Sequence, residues 1–535
     1  MTDAFGKPMS RRSFLKAAAI AGGATAATGL LGGGPGAKAV LAQDVSWTHE
    51  ADVVVIGSGT GQAAALRAAA NGLSTIVLEK AATGGGTTGI SGGGIWVPNN
   101  ARMAEVGIPD SREQALEYLS HATFGQSTPE LMEAYVDNVN PMVEFLTSHG
   151  IAWDFRQNFN DYYPEFPGGV PEGRGMDPVS TIEGARGGGA LARMLQQACE
   201  AVGVQFLFSH AAQRLITNPD GSIAGVQADN EGTPVNVRAQ RGVVVATGGF
   251  DHNQEMVTHF LRGPVYYPSA VRTNTGDGHI MGMALGANLR NMNEIWGWPV
   301  MHEEETGFTR FALAPEMGKP GTVFVNKNGH RFANEAGPYD AVTRPFHAYD
   351  NGTQTWANIP AVIIVDSDFA AHYTLGYQPV NDEATHLFKA DTLEEIAEHF
   401  EINAENLLAT MERYNANAAQ GIDPDFHRGE SAFDQLTGGD RARTDIPHPN
   451  LRPLDTAPFY AIQVYPGALG TCGGLQINNK AQVLNVWGEV IPGLYAVGNA
   501  SGSPMGAGYP GGGATVGAGM TFGMLAADDM TNNRS

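Results

Sequence analysis

The chain has 535 residues and a formal net charge of −23, from 32 Lys or Arg and 55 Asp or Glu. A chain this acidic has no electrostatic attraction for a phosphate backbone, which excludes nucleic acid as a partner. With 42% hydrophobic and 16% charged residues, it has the apolar content of a folded protein, and its length predicts roughly two to four structural units. The two cysteines, Cys199 and Cys472, stand far apart and in no metal-ligand spacing, so neither a disulfide framework nor a metal site is expected.

The N-terminus carries an export pattern. Residues 10–16 (SRRSFLK) precede an Ala/Gly-rich run, and AKA at 37–39 supplies small residues for cleavage. The apolar run is short and Gly-rich, below the ~20 apolar residues that a membrane span needs. We therefore predict a twin-arginine signal over residues 1–43, a periplasmic or outer-face location, and no transmembrane span in the mature chain. Because this route carries folded proteins, it favours a bound cofactor.

A dinucleotide-binding pattern follows at residues 51–80. An apolar strand, the turn GSGTG at 57–61, an Ala-rich helix and a second apolar strand ending in Glu79 form one strand–helix–strand unit. Amides at the start of the helix can hold a pyrophosphate, and Glu79 can accept from the hydroxyls of an adenosine ribose. The sixth position of the fingerprint is Gln62 instead of Gly or Ala, which weakens the argument for close helix–strand packing.

The remaining chain alternates regular segments with glycine-rich turns. The Gly-dense segment 84–96 is predicted to be an irregular loop. Composition becomes polar and Pro-containing between about 291 and 456, which indicates an inserted domain. The other expected elements are helices within 110–150, an aromatic loop at 156–175, a helix at 187–203, a strand at 204–208, and a helix at 517–529.

Three further segments suit a large ligand contacted from several sides. They are ATGG at 246–249, NTGDG at 274–278 and GLYAVGN at 493–499. With the fingerprint, they resemble the flavoprotein superfamily of fumarate reductases, succinate dehydrogenases and ketosteroid dehydrogenases. The resemblance implies FAD and an α/β fold, a Rossmann-like FAD-binding domain (44–290 and 457–535) with an inserted α+β catalytic, or cap, domain (291–456). The residues that it implies for FAD contact are Gly57, Ser58, Gly59, Gly61, Glu79, Lys80, Thr87, Ser91, Gly92, Ala246, Thr247, Gly248, Asp277, Gly498, Asn499, Thr515 and Val516.

Two tyrosines stand where dicarboxylate-reducing members of this superfamily carry arginines. Such members hold a carboxylate with guanidinium groups, in segments resembling RFxNExxxRD and NRLGGN. Here the segments are RFANEAGPYD at 331–340 and GYPGGG at 508–513, so Tyr339 and Tyr509 occupy the arginine positions. A neutral phenol can donate a hydrogen bond to a ketone or, once deprotonated, act as a base.

These replacements resemble the 3-ketosteroid Δ1-dehydrogenases over nearly the whole mature chain. The shared segments include DYYPEFPGG at 161–169, FHRGE at 426–430 and PFYAIQVYPGALGTCGGL at 458–475. The resemblance implies that Tyr509 and the Gly513 amide bind the 3-keto oxygen, Tyr339 removes the C2 proton with help from Tyr162, and the flavin accepts hydride from C1.

Structural roles remain open for several of these residues. Tyr162 is also compatible with packing in an aromatic loop, and Tyr339 with a turn. Cys472 is expected to be a small buried residue. The aromatic residues expected to line the cleft between the domains are Trp296, Trp298, Phe308 and Phe311, although a core position is an alternative.

The leading functional prediction is Δ1-dehydrogenation of a small hydrophobic ketone, a 3-ketosteroid. An external acceptor, a quinone or a small carrier, must then take the electrons, since the chain has one dinucleotide fingerprint. The alternatives are an exported reductase of enones, a reductase of fumarate- or urocanate-like acids, which the missing arginines disfavour, and a non-catalytic flavin carrier, which would not need the tyrosines.

Overall fold

The structure is a computed structural model that describes residues 40–157, 159, 161–311 and 314–533. A signal is predicted over residues 1–43. Its residues 1–39 lie outside the described part of the chain. The strands are Val40–Leu41, His49–Ile56, Thr75–Leu78, Ile95–Trp96, Trp153–Phe155, Gly175–Pro178, Gln205–Leu207, His210–Thr217, Ile223–Asn230, Thr233–Val245, Leu289–Arg290, Ile295–Glu303, Phe308–Phe311, Thr322–Val325, Tyr349–Asp350, Thr355–Trp356, Ala361–Asp366, Thr374–Leu375, Gln378–Pro379, Phe388–Ala390, Phe459–Thr471, Gly474–Leu475, Gln482–Leu484 and Val490–Ala496. The α-helices are Gly61–Ala70, Gly86–Ile90, Ala101–Glu105, Arg112–Ala122, Pro129–Ser148, Gly187–Ala201, Gln254–Phe260, Asp277–Met283, Ala314–Met317, Tyr339–Thr343, Ser367–His372, Leu393–His399, Ala404–Ala418 and Ala514–Asn532.

The first sheet has a parallel centre built on the strand His49–Ile56. This strand pairs in parallel with Thr75–Leu78 on one side and with Thr233–Val245 on the other. Val490–Ala496 continues the parallel pairing beyond Thr233–Val245. The central strand is buried on both faces, which explains its continuous apolar run. Because parallel strands end at one edge, the turns that follow them meet there, as in other open α/β sheets that bind ligands.

The first helix, Gly61–Ala70, packs against this sheet and against the last helix, Ala514–Asn532. Gly61 lets it approach the sheet closely, because a Cβ there would lie 2.6 Å from the Cβ of Ala246. The buried Gln62 has a different task. Its amide donates to the Ser58 carbonyl at 2.6 Å and to the Ala192 carbonyl at 3.2 Å, so it ties the glycine turn to the helix Gly187–Ala201.

The second sheet is antiparallel, and the long strand Phe459–Thr471 lies at its centre. Ile295–Glu303 pairs with one edge of that strand and Ala361–Asp366 with the other. The boundary predicted between residues 456 and 457 therefore precedes a strand of the second sheet. The polypeptide returns to the first sheet only after Thr471, with Gln482–Leu484 and Val490–Ala496. The domain limits themselves remain a prediction.

The segment 84–96 is more regular than its glycine content predicts. It contains the helix Gly86–Ile90 and the strand Ile95–Trp96, which pairs with Gly175–Pro178. The prediction of a purely irregular loop was wrong here. Tertiary packing explains the difference: a Cβ on Gly188 would lie 2.0 Å from the Thr88 carbonyl oxygen, so the backbone of the helix Gly187–Ala201 supports this turn directly.

The other expected elements are confirmed, with small shifts of their ends. Helices occupy Arg112–Ala122 and Pro129–Ser148, and the helix Gly187–Ala201 leads to the strand Gln205–Leu207. The last helix, Ala514–Asn532, extends beyond the predicted 517–529 at both ends. Cys199 and Cys472 are both buried and free. No helix within the part of the chain that the structure describes is both long and apolar enough to span a membrane.

Candidate active site

A cavity of about 720 Å³ opens at the edge where the parallel strands end. Its wall combines the glycine turn of the first strand, the ends of the neighbouring strands and an aromatic region beside the second sheet. Sixteen of the seventeen residues expected to contact FAD line it, and Gly61 is the exception. Gly61 instead serves helix packing, as described above. Tyr162, Tyr339, Tyr509 and Gly513 line the same cavity.

Glu79 organises the glycine turn at the polar end of the cavity. One carboxylate oxygen accepts from the Ser58 amide at 3.0 Å and from the Ser58 hydroxyl at 2.6 Å. The other accepts from the Ala81 amide at 2.8 Å. The Ser58 hydroxyl also accepts from the Gly85 amide at 2.9 Å. The acidic residue that ends the second strand therefore fixes two glycine-rich turns.

The cavity wall carries a second polar group, centred on Lys80 and Asp277. Lys80 donates to Asp277 at 2.9 Å and to Thr275 at 2.7 Å. The Thr247 hydroxyl is buried and has no hydrogen-bond partner among the described residues. A buried hydroxyl is normally paired, so this one fits a ligand that supplies the partner. Backbone amides, hydroxyls and the Lys80–Asp277 ion pair match the phosphates and hydroxyls of a dinucleotide, and the residues present fit FAD.

The aromatic end of the cavity holds the three tyrosines. The Tyr162 hydroxyl donates to the Tyr339 hydroxyl at 2.8 Å. The ring centroids of Tyr162 and Tyr509 are 5.2 Å apart, and those of Tyr339 and Tyr509 are 5.8 Å apart. All three side chains are at most 8% exposed. Residues separated by up to several hundred positions thus form one cluster of phenols.

Packing against the second sheet and a backbone contact between two loops fix the orientation of these rings. The Trp298 ring stacks on Tyr339 at 4.2 Å and 17°, and Trp296 packs against Tyr509 at 5.1 Å. The Tyr162 amide donates to the Pro510 carbonyl at 3.0 Å, which joins the loop of Tyr162 to the loop of Tyr509. The phenols are therefore held by backbone and ring contacts as well as by each other.

Burial controls the ionisation of the cluster. It raises the pKa of Tyr162 and Tyr339 well above the ordinary tyrosine value. Burial also raises the pKa of Tyr509, and hydrogen bonds to Thr515, to Tyr339 and to the Gly513 backbone oppose that rise. All three phenols are neutral at pH 7, which suits Tyr509 as a hydrogen-bond donor and makes Tyr339 a base only in its minor ionised form.

Gly513 stands directly before the last helix, Ala514–Asn532, as its N-cap. Its φ is +88°, and a Cβ there would lie 2.1 Å from the Gly94 carbonyl oxygen, so only glycine fits. The start of this long helix favours negative charge through its free amides and its dipole. The Tyr509 phenol and the Gly513 amide, which both line the cavity, are groups that can donate to an anionic oxygen.

Three of the four aromatic residues expected in the cleft line the cavity: Trp296, Trp298 and Phe311. Phe308 does not; its ring stacks on His386 at 3.7 Å. Sequence reasoning missed Phe433, which lines the cavity and packs on Tyr162 at 5.2 Å. It lies in a segment without a motif, and only its apolar type signalled a buried position.

Comparison with known proteins agrees with this geometry. Residues 52–516 match the model of the FAD binding domain family. A 3-oxosteroid 1-dehydrogenase of Mycolicibacterium smegmatis is 35% identical over 90% of this chain and 97% of its own length. A 4-oxocyclohexanecarboxylate 2-dehydrogenase of Sinomonas cyclohexanicum is 36% identical over 89% of this chain and 92% of its own length.

A solved structure is similar throughout. The 3-ketosteroid delta1-dehydrogenase from Sterolibacterium denitrificans, crystallised with 1,4-androstadiene-3,17-dione, has a TM-score of 0.85 and 30% identity, over 91% of this chain and 100% of that one. Because the match covers 91% of this chain, most of the first and second sheets has counterparts in a protein of known structure. The chain belongs to the FAD binding domain family, as an FAD-dependent oxidoreductase of its 3-ketosteroid Δ1-dehydrogenase branch.

Proposed function

We propose that the protein introduces a C1–C2 double bond into the A ring of a 3-ketosteroid and passes the electrons to an external acceptor. The observation that carries this proposal is the phenol cluster, in which Tyr162 donates to Tyr339 at 2.8 Å beside Tyr509, at the aromatic end of the cavity. The similarity to 3-oxosteroid 1-dehydrogenases supports the substrate class.

The Tyr509 hydroxyl and the Gly513 amide bind the 3-keto oxygen in this proposal. Both donors strengthen their hydrogen bonds as the oxygen gains enolate charge, so they lower the barrier to proton loss at C2. Tyr339 takes that proton as a phenolate. FAD, when bound, supplies the two-electron acceptor for the C1 hydride, which balances the loss of two hydrogens from the steroid.

Tyr162 stabilises the ionised form of Tyr339 by donating to it. In the neutral site, burial and the contacts with Tyr162 and Tyr509 all raise the pKa of Tyr339. Once Tyr339 has lost its proton, however, Tyr162 is the partner that donates. A donor at 2.8 Å offsets part of that penalty because a hydrogen bond to an ionised acceptor is stronger than one to a neutral acceptor. Trp298, stacked on Tyr339, excludes water from the face of the ring. These residues bind, orient and deprotonate the ketone.

Small acids are a poorer substrate class for this cavity. Among the described residues on its wall, Arg156 is the one arginine. It lies over the Phe159 ring at 3.9 Å and pairs with Asp177 at 3.5 Å. A dicarboxylate would therefore meet neutral phenols where a bidentate cationic grip is required. A cyclic ketone that carries one carboxylate, as in the name of the Sinomonas relative, is the second candidate.

Export and electron transfer complete the proposal. The pattern SRRSFLK at 10–16 supports transport by the twin-arginine route to the periplasm or the outer face of the membrane. A quinone or a small electron carrier then serves as the acceptor. Replacement of Arg11 and Arg12 by lysine should leave the precursor inside the cell. Fractionation of cells that express either the wild-type precursor or the double-lysine variant measures this directly. Equal export of both versions would refute the route.

The decisive experiment mixes the FAD-loaded enzyme with 4-androstene-3,17-dione without oxygen. We expect the absorption of oxidised flavin to bleach and 1,4-androstadiene-3,17-dione to form, two mass units lighter. Parallel assays with 4-oxocyclohexanecarboxylate, fumarate and urocanate distinguish the other substrates. If steroid leaves the flavin oxidised but reoxidises dithionite-reduced enzyme, the protein is a reductase; if neither occurs while a small acid reacts, the steroid assignment is refuted.

A further inference from the structure

We infer that Arg344 is a positioning residue that holds the segment of Tyr339 in register with the segment of Tyr509. It follows the short helix Tyr339–Thr343 directly, and no motif in the sequence singled it out. This inference rests on the proposed function because it assigns a role within the same site. Arg344 itself does not line the cavity.

The guanidinium of Arg344 joins three parts of the site. It donates to the Ala507 carbonyl, two residues before Tyr509. The same nitrogen donates to Asp340 at 3.3 Å, and Asp340 is the residue directly after Tyr339. Its other terminal nitrogen donates to Glu294 at 3.1 Å. One planar fork thus fixes a carbonyl and two carboxylates, a task for which lysine lacks the geometry.

Asp340 extends the connection to the second sheet. Its other oxygen accepts from the Gly297 amide at 3.1 Å. Gly297 separates Trp296, which packs on Tyr509, from Trp298, which stacks on Tyr339. The Asp340–Arg344 pair therefore fixes both tyrosines and the tryptophans that support them. We call this pair, with the Ala507 carbonyl, the Arg344 clamp.

Burial makes the geometry of the clamp precise. The side chains of Asp340 and Glu294 are 1% and 5% exposed, whereas that of Arg344 is 28% exposed. An ion pair with buried acceptors and several hydrogen bonds has few alternative arrangements, so it can hold segments in register. The relative position of base and oxyanion donor matters because an error of about 1 Å can reduce a rate by about 10²-fold.

Arg262 provides a matched control. It donates to the same Glu294 oxygen at 2.5 Å, but it is 42% exposed, and unlike Arg344 it donates to neither Asp340 nor the Ala507 carbonyl. Arg262→Gln removes one arginine from the same acid without changing the contact with Ala507 or Asp340. Arg262→Gln and Arg344→Gln each remove one positive charge that pairs with Glu294, so an effect of that lost charge should appear in both variants.

The experiment compares Arg344→Gln with Arg262→Gln in the FAD-loaded enzyme. We expect Arg344→Gln to lower kcat about 10- to 100-fold with KM changed less than threefold, while flavin content and Tm match those of Arg262→Gln. Arg344→Lys should recover only part of the rate, because it keeps the charge but not the fork. A kcat for Arg344→Gln within twofold of the control, or a loss that tracks loss of flavin, would overturn the inference.

Asp340→Asn tests whether Arg344 and Asp340 act together, and Arg344→Lys keeps the test of Arg344 itself decisive if Arg344→Gln folds poorly. Asp340→Asn retains the acceptor for the Gly297 amide but places an amide where the guanidinium binds. The double variant combines Arg344→Gln with Asp340→Asn and so has the net charge of the wild type. If the two residues act as one unit, its kcat should be no lower than that of the slower single variant. Multiplied losses would refute a shared clamp. Wild-type enzyme that converts no cyclic ketone would refute the proposed function instead.

Discussion

Tyr162 and Tyr339 are 177 residues apart in the chain, yet the hydroxyl of the first donates to that of the second at 2.8 Å. Tyr162 lies in the loop between the strands Trp153–Phe155 and Gly175–Pro178, and Tyr339 begins a short helix that packs against the second sheet. Their contact therefore exists only when the two parts are correctly packed. It links the chemistry of the site to the fold of the whole chain.

Tyr339→Phe should lower kcat by at least ~10²-fold, which is the scale of general base catalysis. Flavin content should be unchanged, because the ring and its stacking on Trp298 remain. Steady-state assays with a 3-ketosteroid and the flavin absorbance measure both. Tyr163→Phe is the control: Tyr163 is half-buried next to Tyr162, and its buried hydroxyl has no hydrogen-bond partner among the described residues. Equal activity of both variants would remove Tyr339 from the mechanism.

Activity should increase with pH across the neutral and mildly alkaline range. Burial raises the pKa of Tyr339 well above its ordinary value, so below that pKa the active phenolate fraction increases tenfold for each pH unit. We expect log kcat/KM to rise between about pH 7 and pH 9.5, with a slope approaching one. Tyr162→Phe should lower the whole profile, because it removes the donor to the phenolate. A flat profile for wild type would contradict this role for Tyr339.

Tyr509→Phe should cost a few kcal/mol of transition-state stabilisation, about 10²–10³ in kcat, because the oxyanion loses one donor. The Gly513 amide and the base Tyr339 both remain, so we expect measurable residual activity. Rates at saturating ketone separate this effect from weaker binding. An unchanged kcat/KM with a steroid enone would exclude Tyr509 from the oxyanion site.

Local patterns in the sequence predicted most of the cofactor end. The glycine turn, Glu79 and the ends of three parallel strands lie within short motifs, and parallel topology brings such motifs to one edge. Gly61 is the exception. A glycine in such a motif can allow a ligand to approach the backbone or can allow a helix to pack closely on a sheet, and the motif does not tell which. The contact of Gly61 with Ala246 in the folded chain indicates close helix packing.

Long-range packing decided what the sequence left open. The strand Phe459–Thr471 looks like the start of the returning FAD-binding segment, but its partners are strands of the second sheet. Arg344 has no local signal either, because its acceptors, Glu294 and the Ala507 carbonyl, are distant in the chain. Pairings of this kind depend on topology, which composition and periodicity do not encode locally.

Glu79→Ala should weaken FAD binding more than tenfold. The carboxylate accepts three hydrogen bonds in the glycine turns, and each such bond to a charged group contributes about 1.5–3 kcal/mol. Glu79→Gln is the matched comparison, since it keeps the side-chain size but not the charge. Flavin release on dilution, followed by fluorescence, measures the affinity. Full flavin retention in Glu79→Ala would contradict the assigned role.

Asp251 should make the stability of the protein depend on pH. Its carboxyl is 7% exposed, and one oxygen has no hydrogen-bond partner within the described part of the chain. Burial raises the pKa of Asp251 to about 6, although its backbone, Asn274, His252 and Thr471 oppose this. Since the folded pKa exceeds the unfolded value, the stabilisation is fully present below about pH 4 and is lost as pH rises through about 6, a difference of about 3 kcal/mol.

Asp251→Asn tests this dependence because the amide cannot ionise. The variant should unfold at a higher temperature than wild type at pH 8, where the buried carboxylate of the native chain is charged. At pH 4.5, where most of the native carboxyl is protonated, the two proteins should differ much less. Thermal unfolding of both FAD-loaded proteins at the two pH values, at one scan rate, measures this difference. A Tm difference that is the same at both pH values would show that Asp251 does not titrate in this range, and that its burial is offset by hydrogen bonding to the ionised form.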